Sequence, residues 1–260
     1  MSNDLEPVRF SRLKHFAKSA AHFQANRSDE TASLRKGTAV HSYLLGDSDR
    51  VVVYEDGARN PRHKAYQAFM EAHPHAMILS PAEFVHVDGM RKSIERHSRA
   101  MELLSGIREQ RITWTESGRE CAGTPDVVHL SADGRKLLVE LKTTRTSKPE
   151  LFKYEARRLA YHAQLAWYRT GLERTMLYRA GPVQECAIVA VESTEPYPVT
   201  VFTLDEASLS LGHKQCRLWF EQLLNCERNN HWPAYTESDV ILSVVDDEQE
   251  LDWGSDEEAA

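Results

Sequence analysis

The chain has no long apolar segment and few cysteines for its 260 residues. No apolar run approaches about 18 residues, the length that crosses a membrane, and neither a signal peptide nor a lipidation motif is visible. We therefore expect a cytoplasmic protein with no membrane partner. The four cysteines are scattered, whereas an iron–sulfur cluster needs closely grouped thiolate ligands. No such cluster is expected, and buried, reduced thiols are the better interpretation.

The sequence also lacks net positive charge, its formal charge being −7 at neutral pH. The acidic excess lies in residues 246–260, which contain eight acidic and no basic residues, so the rest of the chain carries about +1. We predict a single domain over residues 1–245, large enough for one sizeable core, and a disordered acidic tail over residues 246–260. The tail is interpreted as a solubilising extension, with docking to a basic partner or covering of a groove as alternatives.

Positive charge is instead concentrated in residues 135–179, which contain eleven Lys or Arg against four Glu. Such a zone favours binding to a phosphate backbone, although several of these residues also fit an ordinary solvated helix face. Arg145 and Lys148 within it are candidate DNA contacts. No helix-turn-helix, zinc-finger or RNP signature is present, so sequence-specific readout is not expected.

A predicted β-hairpin carries the most informative residues. The runs "DVVHL" and "LLVEL" are short and rich in β-branched or aliphatic residues, and the turn sequence Ala-Asp-Gly separates them. A three-residue loop with Gly134 left-handed pairs Ser131 with Arg135, which sets Asp126 directly opposite Glu140. A two-residue turn would shift the register and send the two carboxylates to opposite faces of the sheet.

The face shared by Asp126 and Glu140 also carries Lys142, because strand side chains alternate. Leu141 points into the core, so its backbone carbonyl is left as a further oxygen ligand. Such oxygen ligands favour Mg²⁺, with Mn²⁺ as a substitute. The ion would activate water beside a phosphodiester, and the lysine would orient that water. An exposed face of an amphipathic strand can look similar, so the Glu-x-Lys triplet alone does not define the site.

A long helix is predicted over residues 149–170, with Pro149 in its first turn and Gly171 at its end. Gln164 and Tyr168 are four residues apart and therefore share one helix face. An amide and a phenol in this arrangement can orient a water molecule or hold a phosphate. Taken alone, the pair fits a polar helix boundary better; its position after the Glu-x-Lys strand favours the functional interpretation.

Other elements are predicted from periodicity and turn residues. Helices are expected over residues 10–26, 64–72, 82–104 and 205–228, and a central sheet over about 109–142 with further strands at "CAIVAVES" and "VTVFTL". Ser11 is a candidate cap of the first helix. Arg12 and Lys14 beside it are candidate contacts for a terminal phosphate of DNA.

Five segments together match one known pattern: "SLRKGTAVHSYLLG", "EQRITWTESGRECAGTPDVV", "VELKTT", "YHAQLAWYRTG" and "HWPAY". On these segments, over roughly residues 8–236, the chain resembles the PDDEXK nuclease domain of the exonuclease VIII (RecE-type) family, within the RecB/Cas4-like nucleases. The resemblance implies an α/β PD-(D/E)xK nuclease core, a central mixed β-sheet flanked by helices. It also implies a Mg²⁺-dependent exonuclease that resects linear double-stranded DNA 5′→3′ for phage-type homologous recombination.

The resemblance also implies roles for individual residues. His41 would be an additional metal ligand or orient one, although a lone histidine in an apolar helical run is more often a core or surface residue. Asp126 and Glu140 would be the carboxylate ligands, Lys142 the catalytic lysine, and Glu109 a contact to a second ion. The remaining accessory residues would be Gln164 and Tyr168. Thr124 and Pro125 replace the more usual Arg-containing tripeptide before the aspartate.

Partners follow from the same resemblance: linear double-stranded DNA ends, a RecT-like single-strand annealing protein, and further copies of the chain in a homo-oligomer. Two alternative functions remain open. One is a Cas4-like nuclease acting on single strands or flaps, and the other is a catalytically inactive DNA-binding or assembly module. The intact set of Asp126, Glu140 and Lys142 argues against inactivity, because two repelling carboxylates have no reason to stay together at a retired site.

Overall fold

The computed structural model describes residues 6–25, 32–46, 50–57, 59–175, 181–236 and 238–242. In these ranges the helices are α1 (Phe10–Leu13), α2 (Ala20–Gln24), α3 (Ala32–Leu44), α4 (Lys64–Ala72), α5 (Pro81–Glu95), α6 (Ser98–Leu104), α7 (Pro149–Arg158), α8 (Tyr161–Arg174) and α9 (Glu206–Asn229). The strands are β1 (Val8–Arg9), β2 (Val51–Val53), β3 (Met77–Leu79), β4 (Ile107–Arg108), β5 (Ile112–Glu116), β6 (Arg119–Gly123), β7 (Val127–Leu130), β8 (Lys136–Thr144), β9 (Glu185–Glu192) and β10 (Val199–Thr203).

The central sheet has five strands in the order β10-β9-β8-β7-β4. β8 and β9 are parallel, whereas β7 and β8, β9 and β10, and β4 and β7 are antiparallel. The sheet is therefore mixed, as predicted. β8 lies between two neighbours and is buried along most of its length, which explains its nearly continuous aliphatic sequence.

Helices cover both faces of this sheet. On one face Leu138 and Ile188 belong to a core that also contains Leu165 of α8. On the other face Leu141 belongs to a core that contains Met90 of α5. Because adjacent strand residues point in opposite directions, β8 contributes side chains to both cores. The predicted α/β architecture with flanking helices is confirmed.

The sheet predicted over 109–142 is in fact divided. β5 and β6 form a hairpin that pairs with β1 in a separate three-stranded sheet of order β1-β6-β5. Ser117 and Gly118 both have positive φ and form the tight turn between β5 and β6. After β6 comes Pro125, which has no backbone N–H to continue a ladder. A further two-stranded sheet joins β2 to β3.

The helix predicted over 149–170 is two helices, α7 and α8, and the prediction of one is wrong. Ala160 between them has a left-handed φ of 57°. The Leu159 N–H still donates to the Glu155 carbonyl at 2.8 Å, and the chain then turns before Tyr161 starts α8. Gly171 does not end α8 either: a Cβ there would lie 2.5 Å from the Trp114 ring, so the glycine allows close packing inside the helix.

Two other predicted helices are also interrupted. Residues 10–26 contain α1, a 3₁₀ turn over Lys14–Ala17 and α2, and the cap is Ser19, which accepts from the His22 N–H, rather than Ser11. Residues 82–104 divide into α5 and α6, because His97 Nδ1 accepts the Ala100 N–H and caps a new helix. The acidic tail predicted over residues 246–260 lies outside the described residues.

The four cysteines lie in the cores as free, buried thiols, and burial raises the pKa of Cys121, Cys186 and Cys216 to about 12. Within the described ranges, we find no helix with the length and apolarity needed to cross a bilayer.

Candidate active site

The β7–β8 hairpin has the predicted register. Val127 lies opposite Val139, and the Ser131 N–H donates to the Arg135 carbonyl at 2.9 Å. Gly134 has a φ of 82°, the left-handed conformation that the three-residue loop requires. The same register continued beyond β7 brings Asp126 opposite Glu140.

Both carboxylates are fixed by backbone N–H groups of the neighbouring strand. Glu140 Oε1 accepts from the Asp126 N–H at 3.2 Å, and Asp126 Oδ2 accepts from the Leu141 N–H at 2.8 Å. Only 1% of the Glu140 side chain and 14% of the Asp126 side chain are exposed. Burial raises the pKa of Asp126 to about 6, and burial together with the charge of Asp126 raises the pKa of Glu140 to about 7.

Lys142 lies on the same face of β8 as Glu140. Its Nζ donates to Glu140 Oε2 at 2.6 Å and lies 5.2 Å from the centre of the Tyr161 ring. Burial by itself would lower the pKa of this lysine, but the carboxylates of Glu140 and Asp126 outweigh burial and raise it. Lys142 is therefore an ammonium ion, held between a carboxylate and an aromatic face.

His41 approaches from α3 on the other side of β8. Its Nε2 donates to the Leu141 carbonyl at 2.8 Å, and its Nδ1 lies 3.5 Å from Asp126 Oδ1. Burial, followed by the charge of Lys142, lowers the pKa of His41 to about 4, so the imidazole is neutral. The predicted imidazole, carboxylate and carbonyl donors thus lie next to one another.

The donor atoms fit a hard divalent cation in kind and charge. Asp126 and Glu140 supply carboxylate oxygens and Leu141 a carbonyl oxygen, the ligand types that Mg²⁺ and Mn²⁺ prefer. Two buried carboxylates face one ammonium ion, so a divalent cation would offset the remaining negative charge. Among the residues that the structure describes, however, no three acidic, histidine or cysteine side chains converge on one point. Two of the donor atoms accept hydrogen bonds within the protein: Glu140 Oε2 accepts from Lys142, and the Leu141 carbonyl accepts from His41.

Glu109, the candidate for a second ion, adjoins this group. It follows β4 with a left-handed φ of 46°, and its N–H donates to the Asp126 carbonyl at 2.9 Å. Its exposed side chain lines the cleft above the carboxylates. The negative charge of Glu109 adds to the factors that raise the pKa of Asp126.

Gln164 and Tyr168 face the same cleft from α8. Gln164 Nε2 donates to the Tyr168 hydroxyl at 3.3 Å, and both side chains line the cleft. The Tyr168 ring rests against Gly123 of β6, where an added Cβ would approach the ring to 2.7 Å. Burial, with the charge of Glu140, raises the pKa of Tyr168, so the phenol keeps its proton.

The cleft above these residues has a volume of about 1090 Å³. Of the predicted DNA contacts, Lys14 and Arg145 line it. Burial and then the charge of Lys142 lower the pKa of Lys14. Arg12 does not line the cleft: its guanidinium lies 3.8 Å from Glu6 and 4.8 Å from the centre of the Phe23 ring. Lys148 also lies outside, 4.0 Å from Glu150.

Several residues that line the cleft had no role in the sequence-based prediction, among them Tyr161 and Arg158. Tyr161 lines the cleft and faces Lys142, and Arg158 lines it from the end of α7. Arg158 belongs to the basic zone of residues 135–179, for which phosphate contact and a solvated helix face were both left open. Tyr161 precedes Gln164 by three residues and therefore shares its helix face. The sequence would have indicated Tyr161 as a cleft residue if the start of α8 had been predicted. His162, between Tyr161 and Gln164, does not line the cleft: its Nε2 lies 2.9 Å from Gln215 Oε1 of α9.

Comparison with known proteins identifies one family. The model of a family described as "PDDEXK-like domain of unknown function (DUF3799)" matches residues 9–241. No curated protein matches the chain by sequence.

Among solved structures, a crystal structure from Eubacterium rectale described as "Putative exonuclease" aligns with a TM-score of 0.62 at 15% identity, covering 93% of this chain and 91% of that one. This likeness shows a shared fold. A structure described as SSO0001 aligns with a TM-score of 0.31 at 14% identity, over 70% of this chain and 84% of that one, which is too low to argue from.

Proposed function

Because the chain belongs to the DUF3799 family of PDDEXK-like domains, we propose that it is a divalent-metal-dependent exonuclease that degrades linear double-stranded DNA. The family supports a nuclease. The finer proposal is 5′→3′ resection of DNA ends for phage-type homologous recombination, and it rests on the resemblance to RecE-type nucleases.

One observation carries the proposal: Lys142 lines a basic cleft, and the buried carboxylates of Glu140 and Asp126 lie next to it. The Lys142 ammonium is 2.6 Å from Glu140 Oε2, and the Asp126 carboxylate accepts from the backbone N–H of Leu141, which lies between Glu140 and Lys142 on β8. His41 and the Leu141 carbonyl adjoin the two carboxylates. A buried pair of carboxylates with a lysine and an imidazole suits phosphodiester hydrolysis better than it suits a purely structural ion pair.

The residues proposed to hold Mg²⁺ or Mn²⁺ are Asp126, Glu140, the Leu141 carbonyl and His41, with Glu109 for a second ion. A bound ion would polarise the phosphoryl oxygen and lower the pKa of a water molecule. His41 is neutral, so its Nδ1 lone pair is available on the side of Asp126.

Water would attack the phosphodiester in line with the leaving oxygen. The Lys142 ammonium would orient that water and stabilise negative charge that develops on the phosphoryl group. Gln164 and Tyr168, both neutral hydrogen-bonding groups in the cleft, would hold the water or a non-bridging oxygen. Lys14, Arg145 and Arg158 line the cleft and would contact backbone phosphates.

Cleavage of end-labelled linear duplex DNA tests the proposal, with Mg²⁺ or Mn²⁺ and with a chelator. The proteins compared are the wild type, Asp126→Ala, Lys142→Ala and the matched surface variant Lys214→Ala. We expect metal-dependent release of mononucleotides from 5′ ends, lost in the first two variants and kept in Lys214→Ala. Preference for flaps or single strands would favour the Cas4-like alternative. Binding without cleavage in either metal would overturn the enzyme proposal in favour of an inactive assembly module.

Two proposed partners need separate tests. A RecT-like annealing protein is tested by co-purification with and without residues 246–260, and binding that does not depend on the tail would rule out the tail as its docking segment. Light scattering of the purified chain tests the proposed homo-oligomer.

A further inference from the structure

Helix α7 has an exposed apolar face beside the cleft. Its inner side is fixed by Phe152, which is buried and stacks on Phe202 of β10 with ring centres 4.4 Å apart. On the opposite side Leu151 is 53% exposed and Tyr154 is 65% exposed. Leu151 and Tyr154 are three residues apart, so they lie next to each other on the helix surface.

This exposed face continues the wall of the cleft. Arg158, at the end of α7, lines the cleft. With 3.6 residues per turn, Leu151 and Tyr154 lie within about 40° of Arg158 around the helix axis. They precede it by roughly 10 Å and 6 Å along the axis. We call Leu151, Tyr154 and Arg158 the α7 stripe.

Cations outnumber acidic residues around the α7 stripe: α7 carries Lys153, Arg157 and Arg158 against Glu150 and Glu155. Lys153 Nζ lies 4.9 Å from the centre of the Tyr154 ring, and Arg157 is exposed on the same helix. Arg145 lines the adjoining part of the cleft. A face that interleaves an aromatic ring with lysine and arginine complements a polyanion whose bases can stack, which is the chemistry of single-stranded nucleic acid. It suits an apolar protein surface less well.

We propose that the α7 stripe holds the single-stranded end of the DNA substrate outside the cleft. Arg158 contacts a backbone phosphate, Tyr154 stacks on a base, and Leu151 packs against the next base outward. Stacked nucleotides are about 3.4 Å apart along a strand, so Tyr154 is two nucleotides and Leu151 three nucleotides from the phosphate at Arg158. The proposal rests on the proposed function: the substrate is a duplex end, and its terminal nucleotides are unpaired where they enter the cleft.

Strand binding in the presence of a chelator tests the stripe independently of catalysis. Fluorescence anisotropy with a labelled single-stranded oligonucleotide compares the wild type with Tyr154→Ala, Leu151→Ala and Tyr154→Phe. The matched control is Leu218→Ala, since Leu218 is 54% exposed on α9. We expect about tenfold weaker binding for Tyr154→Ala, near wild-type binding for Tyr154→Phe because the ring is kept, and no change for Leu218→Ala.

A second measurement locates the stacked base. The fluorescent base 2-aminopurine, placed at successive positions from the strand end, should be quenched at one position in the wild type and Tyr154→Phe and not in Tyr154→Ala. Equal oligonucleotide binding by the wild type and Tyr154→Ala would overturn the proposal. A changed oligomeric state in Tyr154→Ala with unchanged strand binding would also overturn it, in favour of a protein interface.

A separate measurement tests the proposed nuclease activity. Hydrolysis of bis(p-nitrophenyl) phosphate with Mn²⁺, compared between the wild type and Asp126→Ala, tests the catalytic group with a substrate that has no strand to bind. Absence of hydrolysis by the wild type counts against the nuclease, whereas the anisotropy result alone decides the stripe.

Discussion

The Lys142 ammonium donates a 2.6 Å hydrogen bond to Glu140, its neighbour on the same face of one strand. Only 15% of the Lys142 side chain and 1% of the Glu140 side chain are exposed. In such a setting each charge depends on the other, because neither is well solvated. The pair therefore couples the proposed nucleophile-orienting group to one proposed metal ligand.

Replacing the ammonium by an apolar group of similar length should separate catalysis from folding. Lys142→Met is expected to lower the rate of DNA hydrolysis by about 10²–10³-fold, the usual cost of losing one charge-stabilising donor. The fold should stay intact, because Glu140, whose pKa is already about 7, can take up a proton and leave no unpaired charge buried beside the methionine. Single-turnover cleavage and a thermal melt measure the two effects, with Lys214→Met as the surface control. A rate equal to that of the wild type would remove Lys142 from the mechanism.

In the metal-free protein, Asp126 and Glu140 should cost stability as the pH rises through their raised pKa values, about 6 and about 7. The lowered pKa of His41, about 4, acts in the opposite direction below the ordinary histidine pKa of 6.5, so the comparison with a variant isolates the carboxylate effect. A carboxyl group whose pKa is higher in the folded state binds its proton more tightly there. Its contribution to stability is therefore complete below the unfolded pKa and is lost as the pH rises through the folded pKa. Thermal melts in chelator from about pH 4 to about pH 8 should show a smaller decline for Asp126→Asn than for the wild type. Parallel curves would contradict the prediction.

Adding a divalent metal should reverse this loss. The metal competes with protons for the same carboxylates, so stabilisation by Mn²⁺ should grow as the pH rises above about 6. At a metal concentration about 100 times the dissociation constant, the expected gain is about 2.7 kcal/mol. His41→Ala should reduce the gain and Asp126→Asn should abolish it, whereas His213→Ala, an exposed histidine of α9, should leave it unchanged. The shift of the melting temperature on titration with Mn²⁺ measures these effects.

The sequence predicted the central hairpin correctly because its register depends on local features. The length of the loop and the left-handed Gly134 are enough to set Asp126 opposite Glu140, and alternation then puts Lys142 on the same face. The strand partners of β5 and β6 were not predictable in this way. β5 alternates like any half-buried strand, and β6 ends in three consecutive buried residues, Cys121–Gly123. Only the distant pairing of β6 with β1 assigns the two strands to a separate sheet.

The division between α7 and α8 was also beyond local patterns. Leu159 and Ala160 are good helix formers with no glycine or proline between them, so propensity favours continuity. Tertiary contacts override it: Phe152 is held by Phe202 on one side of the break, and Tyr161 faces Lys142 on the other. Two of the cleft residues that sequence reasoning left without a role, Tyr161 and Arg158, flank this break.

The Tyr161 ring should act as a positioning group for Lys142. Tyr161→Phe keeps the aromatic face and is expected to retain near wild-type turnover. Tyr161→Leu removes it and should lower kcat by about 2–30-fold, the range of a partly buried cation–π contact, with little change in KM. Tyr66→Leu, a buried tyrosine in the small β2–β3 region, controls for loss of packing. Equal losses of kcat in Tyr161→Phe and Tyr161→Leu would point to the hydroxyl instead.

Gly123 should control the position of Tyr168. A Cβ at this residue would come within 2.7 Å of the Tyr168 ring, so Gly123→Ala should push the ring into the cleft and lower DNA cleavage by about tenfold. Gly118→Ala is the matched control. A Cβ added at Gly118 would meet no atom within 4 Å, but the φ of 78° is a left-handed conformation that strains alanine. The control should lose about 1 kcal/mol of stability and no activity. Steady-state cleavage measures the activity of both variants, and urea denaturation measures their stability. Wild-type activity of Gly123→Ala would show that cleavage does not depend on the present position of Tyr168.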